Sequence, residues 1–290
     1  MWIPRCSADL EVRPSCKTKA KDKKAIRVCV CRVRRLVGGV RSCVVVGRPL
    51  VLSDSRALAR SRPWARAGSM GFVAKKIRYA ATHVLFDWDG TLLNSYEADV
   101  GAYLTMFGAM GVSWTEAEIA KHYSPNWYRV YRAARIQRQH WEKADALWAK
   151  AYASENPPLL PGARRVIREL AKRFTLGIVT SGNRARVRRQ LRELQLAEYF
   201  SACVCSEDVP HKKPHPAPLR LALKRLRVGP EVCVYVGDTA EDMEMSARAG
   251  VRAIGVLGPF PTAERIRATK PQILMEAIRE LPRYLVHRRD

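Results

Sequence analysis

Asp87 and Asp89 stand two residues apart where an apolar run, Val84 to Phe86 after His83, comes to an end, and Gly90 and Thr91 follow them. Side chains two apart on a regular strand share a face. Two carboxylates so placed would repel each other, and a divalent cation together with a turn at Gly90 would relieve the repulsion and separate their tasks. One could stay ionised against the metal and attack; the other could carry a proton. A bare D-x-D is also what an acidic turn closing a strand looks like, so the later stretches decide. Thr180-Ser181-Gly182-Asn183 offers a hydroxyl and a small-residue turn at a helix start, where free N–H groups and the helix dipole favour an anion; a plain Ser/Thr cap would read the same way. His211-Lys212-Lys213-Pro214-His215-Pro216 is a rigid basic loop able to set an ammonium beside a phosphoryl group, or simply a solvated charged loop. Gly237-Asp238-Thr239-Ala240-Glu241-Asp242 supplies two more carboxylates, for which the ordinary alternative is N-capping by Asp238 with Asp242 as a dipole partner.

These stretches fall at the ends of predicted strands. Val84–Phe86, Thr175–Thr180, Ala202–Ser206, Val232–Gly237 and Ala253–Leu257 read as short buried strands. Helical segments separate them: one from Pro161, then Asn183–Gln195, Pro216–Leu226 and Ala240–Ala249, with a closing helix over Gln272–Leu281. Strand alternating with helix predicts an α/β, Rossmann-like, doubly wound parallel sheet, whose carboxyl ends would bring the four stretches to one mouth. Between Ser95 and Pro158 the period is helical instead, with Tyr96, Val100, Tyr103, Leu104, Phe107 and Met110 on one spacing, Gly111 closing that helix, and further helices over Trp114–Tyr123, Trp127–His140 and Trp141–Tyr152. The expected organisation is a basic leader over residues 1–69, an α/β core from 70–94 and 159–290, and a helical cap over 95–158 inserted after the first strand.

The net charge of +25 is uneven, since residues 1–69 hold 17 Lys/Arg against 4 Asp/Glu, a net of +13. That excess raises nucleic-acid binding as a rival class, but no recognised nucleic-acid motif accompanies it. The leader has no convincing period, and the organised pattern starts just after Met70; the reading adopted is upstream sequence preceding a working start at Met70, with disorder and targeting as alternatives. Five of the eight cysteines lie in the leader, and Cys203, Cys205 and Cys233 lie in apolar strand-like runs, where a thiol acts as a small core residue. The C-x-C spacings do not match metal or redox pairs. No stretch reaches 18 uninterrupted apolar residues, which argues against a membrane span and for a cytoplasmic protein.

With D-x-D-G-T, T-S-G, K-P and G-D-x-x-x-D in that order, the chain resembles the haloacid dehalogenase superfamily of phosphohydrolases over roughly residues 80–258, in particular its phosphoglycolate phosphatase and beta-phosphoglucomutase-like branch. The resemblance implies that Asp87 is the nucleophile forming an aspartyl-phosphate and Asp89 the general acid and base. It implies Mg²⁺ held by Asp87, Asp238 and the backbone carbonyl of Asp89, with Asp242 holding metal-bound water or Lys213. Thr180 and the amides of Ser181 and Gly182 would bind phosphoryl oxygens, and Lys213, directly before the proline, would neutralise charge. The cap would close over the pocket and select the substrate. Asn126, Trp127, Tyr128, Arg129 and Arg132 are candidate contacts to a small anionic leaving group, and ordinary helix packing is their alternative. Trp88 departs from the branch, which more often has a smaller apolar residue or Leu there. Trp88 occurs in phosphonate-cleaving relatives, but these lack the second Asp, so Asp89 favours phosphate esters. The expected function is Mg²⁺-dependent hydrolysis of a small phosphomonoester, with a sugar-phosphate mutase as the nearest alternative.

Overall fold

A computed structural model of the protein describes residues 78–288. The basic leader, residues 1–69, lies outside the described residues. The strands are β1 (Tyr79–Ala81), β2 (His83–Phe86), β3 (Thr175–Val179), β4 (Phe200–Val204), β5 (Cys233–Gly237), β6 (Arg252–Val256), β7 (Leu274–Met275) and β8 (Leu285–His287). Six of them form one parallel sheet in the order β4-β3-β2-β5-β6-β7, and β1 pairs with β8 separately. Strand order reverses between β2 and β5, the kind of switch point where open α/β sheets bind their ligands. Register sharpens this: Phe86 lies beside Ile178 on one side and Val236 on the other. The residues that follow, Asp87, Val179-Thr180 and Gly237-Asp238, therefore emerge at one level.

Val84, Leu85 and Phe86 are fully buried because the central strand has helices on both faces. Their side chains alternate between two apolar clusters, with Val84 and Phe86 in one and Leu85 in the other. Truncating Phe86 to Ala would cost about 3–5 kcal/mol. The flanking helices are α5 (Ala163–Ala171), α6 (Arg184–Glu193), α7 (Ala217–Leu226), α8 (Ala240–Ala249) and α9 (Ala263–Ala268). Four others follow β2 directly: α1 (Tyr96–Ala109), α2 (Glu116–His122), α3 (Trp127–Ala133) and α4 (Trp141–Tyr152). They enclose a third apolar cluster that includes Tyr103, Phe107, Ile119 and Tyr131. No helix among the described residues is long and apolar enough to cross a membrane.

Two expected helices differ. The segment Trp127–His140 breaks after α3, where Arg135 takes a left-handed φ of 59°, and a 3-10 turn, Arg138–His140, follows. The closing segment is not an α-helix: Leu274–Met275 pairs with β6 at the sheet edge, and a 3-10 stretch, Ile278–Tyr284, carries Pro282 inside it. Proline has no N–H to continue an α-helix. Met275 can occupy a strand because its neighbour Val256 offers an open edge, something periodicity over two residues does not reveal.

Candidate active site

The strand ends assemble a buried charge cluster around Lys213. Its ammonium lies 2.8 Å from Asp87 Oδ1 and 2.8 Å from Asp242 Oδ1, and it donates to the Tyr235 hydroxyl at 2.9 Å. The lysine is 1% exposed, so an unpaired ammonium there would be untenable. Burial would lower its pKa, but the Asp242 and Asp87 charges raise it above the ordinary lysine value. Asp242 is held from both sides. Oδ1 accepts from Lys213 and from Tyr235, the latter at 3.0 Å, while Oδ2 accepts from the Thr239 hydroxyl at 2.6 Å and the Thr239 amide at 3.1 Å. The helix cap of α8 is Thr239 rather than Asp238, with Asp242 completing the reciprocal capping box. Capping therefore does not occupy Asp238, which is 1% exposed.

One Asp238 oxygen, Oδ1, accepts from the Thr91 hydroxyl at 3.0 Å, and Oδ2, though buried, has no donor among the described residues. Carboxylate oxygens of Asp87, Asp238 and Asp242 lie within 4.8 Å of one another. Burial, then the neighbouring carboxylates, push Asp238 well above the usual range. Burial outweighs Lys213 at Asp87, which is pushed up to about 7. An orphaned carboxylate oxygen among like charges suits a hard divalent cation with oxygen ligands. Asp242 is the least suited of the three to direct ligation, because both its oxygens are already engaged. Gly90 has φ of 75°, and a Cβ there would come within 2.3 Å of Asp238 Oδ2, so the turn needs glycine for this close approach.

Asp89 meets a partner that motif spacing does not reveal. Arg186, on the first turn of α6, donates from its two terminal nitrogens to Asp89 Oδ1 at 2.8 Å and Oδ2 at 2.6 Å. Burial alone would raise the Asp89 pKa; the guanidinium overrides it and holds the carboxyl below the ordinary value. Arg186 reaches Asp89 across Gly182, where any Cβ would fall 2.4 Å from a guanidinium nitrogen. It also approaches Gln190 Oε1 at 3.4 Å, and that oxygen accepts from the Trp88 indole at 2.9 Å. Trp88 is fully buried on the core side of the strand end. Its tie to Gln190 links the middle residue of D-x-D to the arginine that grips the second aspartate. The only sequence signal for Arg186 was its place one turn after T-S-G-N, in a helix rich in arginine.

Thr180 is buried, and its hydroxyl accepts from the Gly182 amide at 2.9 Å. Asn183 is the observed cap of α6, accepting from the Arg186 amide at 3.2 Å. Ser181 and Gly182 face a cavity of about 330 Å³ lying between the strand ends and helices α1, α3 and α4, which Asp89 and Arg186 also line. Trp127 and Tyr128 line it as expected. Arg129 and Arg132 do not. Arg129 reaches Glu241 at 3.5 Å, beside the Ser124 hydroxyl that donates to the same carboxylate at 2.9 Å, and Arg132 lies over the Trp141 ring at 5.8 Å. The helical turn carries both arginines away from the cavity while Trp127 and Tyr131 face it. Asn126 precedes α3 as its cap residue and is not among the residues lining the cavity.

Comparisons with known proteins follow the same outline. The family described as haloacid dehalogenase-like hydrolase matches residues 84–256. A phosphoglycolate phosphatase of Escherichia coli is 27% identical over 226 residues, covering 68% of this chain and 90% of its own. Pyrophosphatase PpaX of Bacillus velezensis is 28% identical over 205 residues, covering 69% and 94%. Among solved structures, a haloacid dehalogenase-like hydrolase from Bacteroides fragilis superposes with a TM-score of 0.65 at 27% identity, covering 69% of this chain and 99% of that one. CbbY from Rhodobacter sphaeroides, crystallised with xylulose-(1,5)bisphosphate, gives 0.60 at 27% identity, covering 69% and 96%.

Proposed function

Because the chain belongs to the haloacid dehalogenase-like hydrolases, we propose that it is a Mg²⁺-dependent, cytoplasmic phosphatase that hydrolyses a small phosphomonoester through an aspartyl-phosphate on Asp87. The observation that carries the reading is the Lys213 ammonium shared by Asp87 and Asp242, next to an Asp238 oxygen with no donor among the described residues. Phosphoryl transfer requires in-line placement and neutralisation of spread negative charge, and this cluster supplies both kinds of group. The relatives named as phosphatases, and the one crystallised with a sugar bisphosphate, support a small phosphorylated substrate. In this reading residues 95–158 act as the cap over a core formed by 70–94 and 159–290.

Asp87 attacks phosphorus with the oxygen that Lys213 does not engage. The bond to the leaving oxygen breaks as Asp89 delivers a proton to it. Asp89, again a carboxylate, then takes a proton from water, which attacks the phosphorus and frees Asp87. Thr180 and the amides of Ser181 and Gly182 hold phosphoryl oxygens, and Lys213 offsets charge on the nucleophile and the group in transfer. Asp87, Asp238 and the backbone carbonyl of Asp89 would hold Mg²⁺, which when bound neutralises charge on the phosphoryl oxygens. Asp242 acts indirectly, by fixing Lys213. Arg186 engages both oxygens of Asp89, a pairing suited to the carboxylate state that accepts a proton from water. At least one guanidinium N–H must give way before Asp89 can act as an acid.

Release of inorganic phosphate from p-nitrophenyl phosphate and a panel of phosphomonoesters, with and without Mg²⁺, tests the reading. Turnover should require Mg²⁺ and vanish in Asp87→Asn; hydrolysis that persists in that variant would refute it.

A further inference from the structure

Away from Ser181 and Gly182, where the phosphoryl group would sit, the cavity beside the strand ends is not built for an anion. Its positive groups are committed elsewhere: Arg186 to both oxygens of Asp89, and Lys212 to the face of Trp127, 3.8 Å from the ring centroid, with Tyr128 at 5.4 Å. Two carboxylates, Asp99 on α1 and Asp145 on α4, line the same wall. Asp145 accepts from the Tyr131 hydroxyl at 2.9 Å, whereas no donor among the described residues reaches the Asp99 carboxylate. Burial, then the charge of Asp89, push Asp99 up to about 8, a shift that a cation seated beside it would reverse. A carboxylate leaving group, such as that of phosphoglycolate, would meet these acids, with Arg186 and Lys212 already engaged.

A cation would find what it needs. Aromatic faces attract ammonium groups, most strongly when water is excluded. Trp127 and Tyr128 already do so with Lys212, and Tyr103 and Trp148 continue the aromatic lining toward Asp99. Lys212 is held on a flexible four-carbon stem and can withdraw. Volume agrees, since about 330 Å³ exceeds what a two-carbon acid would fill.

Resting on the phosphatase reading above, we infer that the substrate is a phosphomonoester whose leaving group carries an amine or quaternary ammonium, seated between the Trp127–Tyr128 faces and the Asp99 and Asp145 carboxylates. Hydrolysis cleaves the P–O bond on the phosphorus side, water supplies the new oxygen, and the products are inorganic phosphate and a cationic alcohol.

The test compares, on the full chain with Mg²⁺, kcat/KM for phosphocholine, for its uncharged isostere 3,3-dimethylbutyl phosphate, and for phosphoglycolate, with p-nitrophenyl phosphate as the general reporter. Phosphocholine should exceed its isostere by about tenfold or more, corresponding to the upper range of cation–π and ion-pair gains. Asp99→Asn should erase most of that preference while p-nitrophenyl phosphate turnover stays within about twofold, a margin below 0.5 kcal/mol; Asp145→Asn serves the same purpose should the first variant fold poorly. Lys212→Met should lower KM for phosphocholine by removing a competing occupant. Equal rates for phosphocholine and its isostere, or phosphoglycolate as the best ester, would overturn the inference while Asp87-dependent p-nitrophenyl phosphate turnover left the phosphatase reading intact. A rise in KM for phosphocholine on Lys212→Met would overturn it too, marking Lys212 as a hook for an anion. Absence of turnover on every ester would remove both readings together.

Discussion

The strand-end cluster and the cap cavity are neighbours built in opposite ways. At the strand ends, polar atoms are paired with one another: Lys213 has three partners, Asp242 uses both oxygens, and Thr239 and Tyr235 lock them in place. The backbone there is fixed by six strands in register, so the groups have little freedom. On the far side of the cavity, side chains come from α1, α3 and α4, aromatic faces dominate, and Asp99 has no donor among the described residues. On the phosphatase reading, the difference would separate reaction from selection. A fixed cluster treats every phosphoryl group alike, and a wall of helix-borne side chains distinguishes what is attached to it.

That contrast predicts how variants divide. Asp87→Asn keeps the side chain's size and removes the nucleophile, so kcat/KM should fall by about 10⁴-fold or more on every ester, aryl or alkyl alike. Residual activity that varies with the ester would blur the division. Lys213→Met should also reduce all substrates, by roughly 10²–10³-fold, as for loss of one preorganised charge-stabilising group. It leaves Asp87 and Asp242 buried without their cation, which costs about 3–5 kcal/mol when a buried pair is broken. At about 2–4 °C for each kcal/mol, a thermal scan should register this as a clear drop in Tm. An unchanged Tm would mean that the cluster is looser than its distances indicate.

Arg186 stands on the border between the regions. It pairs with Asp89, yet it also lies 4.9 Å from the Tyr152 ring and 5.9 Å from that of Trp148, both on α4. Arg186→Met would free Asp89 from its only guanidinium partner among the described residues. If Arg186 positions the acid and base, alkyl esters, whose poor leaving groups need a proton, should lose about 10²-fold. p-Nitrophenyl phosphate, whose leaving group needs none, should lose less than about threefold on the same grounds. Equal losses on both would reduce Arg186 to a structural tie between core and cap.

Much of the strand-end cluster was legible because its information is local. Asp87, Thr180 and Asp238 each directly follow a short buried strand, Lys213 lies in the loop after β4, and parallel topology brings such ends together. Arg186 was not legible, because its meeting with Asp89 depends on Gly182, four positions earlier, leaving room, and on a helix phase that the run of arginines in α6 conceals. Of the candidate cap contacts, Trp127 and Tyr128 line the cavity and the two arginines do not, for a related reason. Arg129 and Arg132 carry charge that could grip an anion, but a turn of α3 directs them to Glu241 and Trp141, while Asp99 of α1 and Asp145 of α4 line the cavity. Helical period marks Tyr103 and Tyr131 as inward-facing without saying whether they meet a neighbour or a cavity. The edge strand β7 was too short to carry any period at all.

The smallest predicted effect separates the two regions by pH and metal. Asp87, pushed up to about 7, and Asp238, pushed well above its ordinary value, bind protons in the folded state that the unfolded chain has already released above about pH 4. A raised carboxylate therefore removes stability as pH climbs from about 4 through the folded value. Asp89, held low by Arg186, acts in the other direction, but its contribution is complete above about pH 4 and does not change in this window. Lys213, raised, contributes fully below its unfolded pKa of about 10.4, so it too is constant there. In EDTA, Tm should fall between pH 5 and pH 8. Mg²⁺ binds the folded carboxylates in their ionised form and stabilises by mass action, so its Tm increment should be larger at pH 8. Asp238→Asn should abolish that increment. Asp99 is also raised, to about 8, so Asp99→Asn should flatten part of the pH slope while leaving the Mg²⁺ increment untouched. A Mg²⁺ increment that survives Asp238→Asn, or disappears in Asp99→Asn, would show that metal and selection share residues that the structure keeps apart.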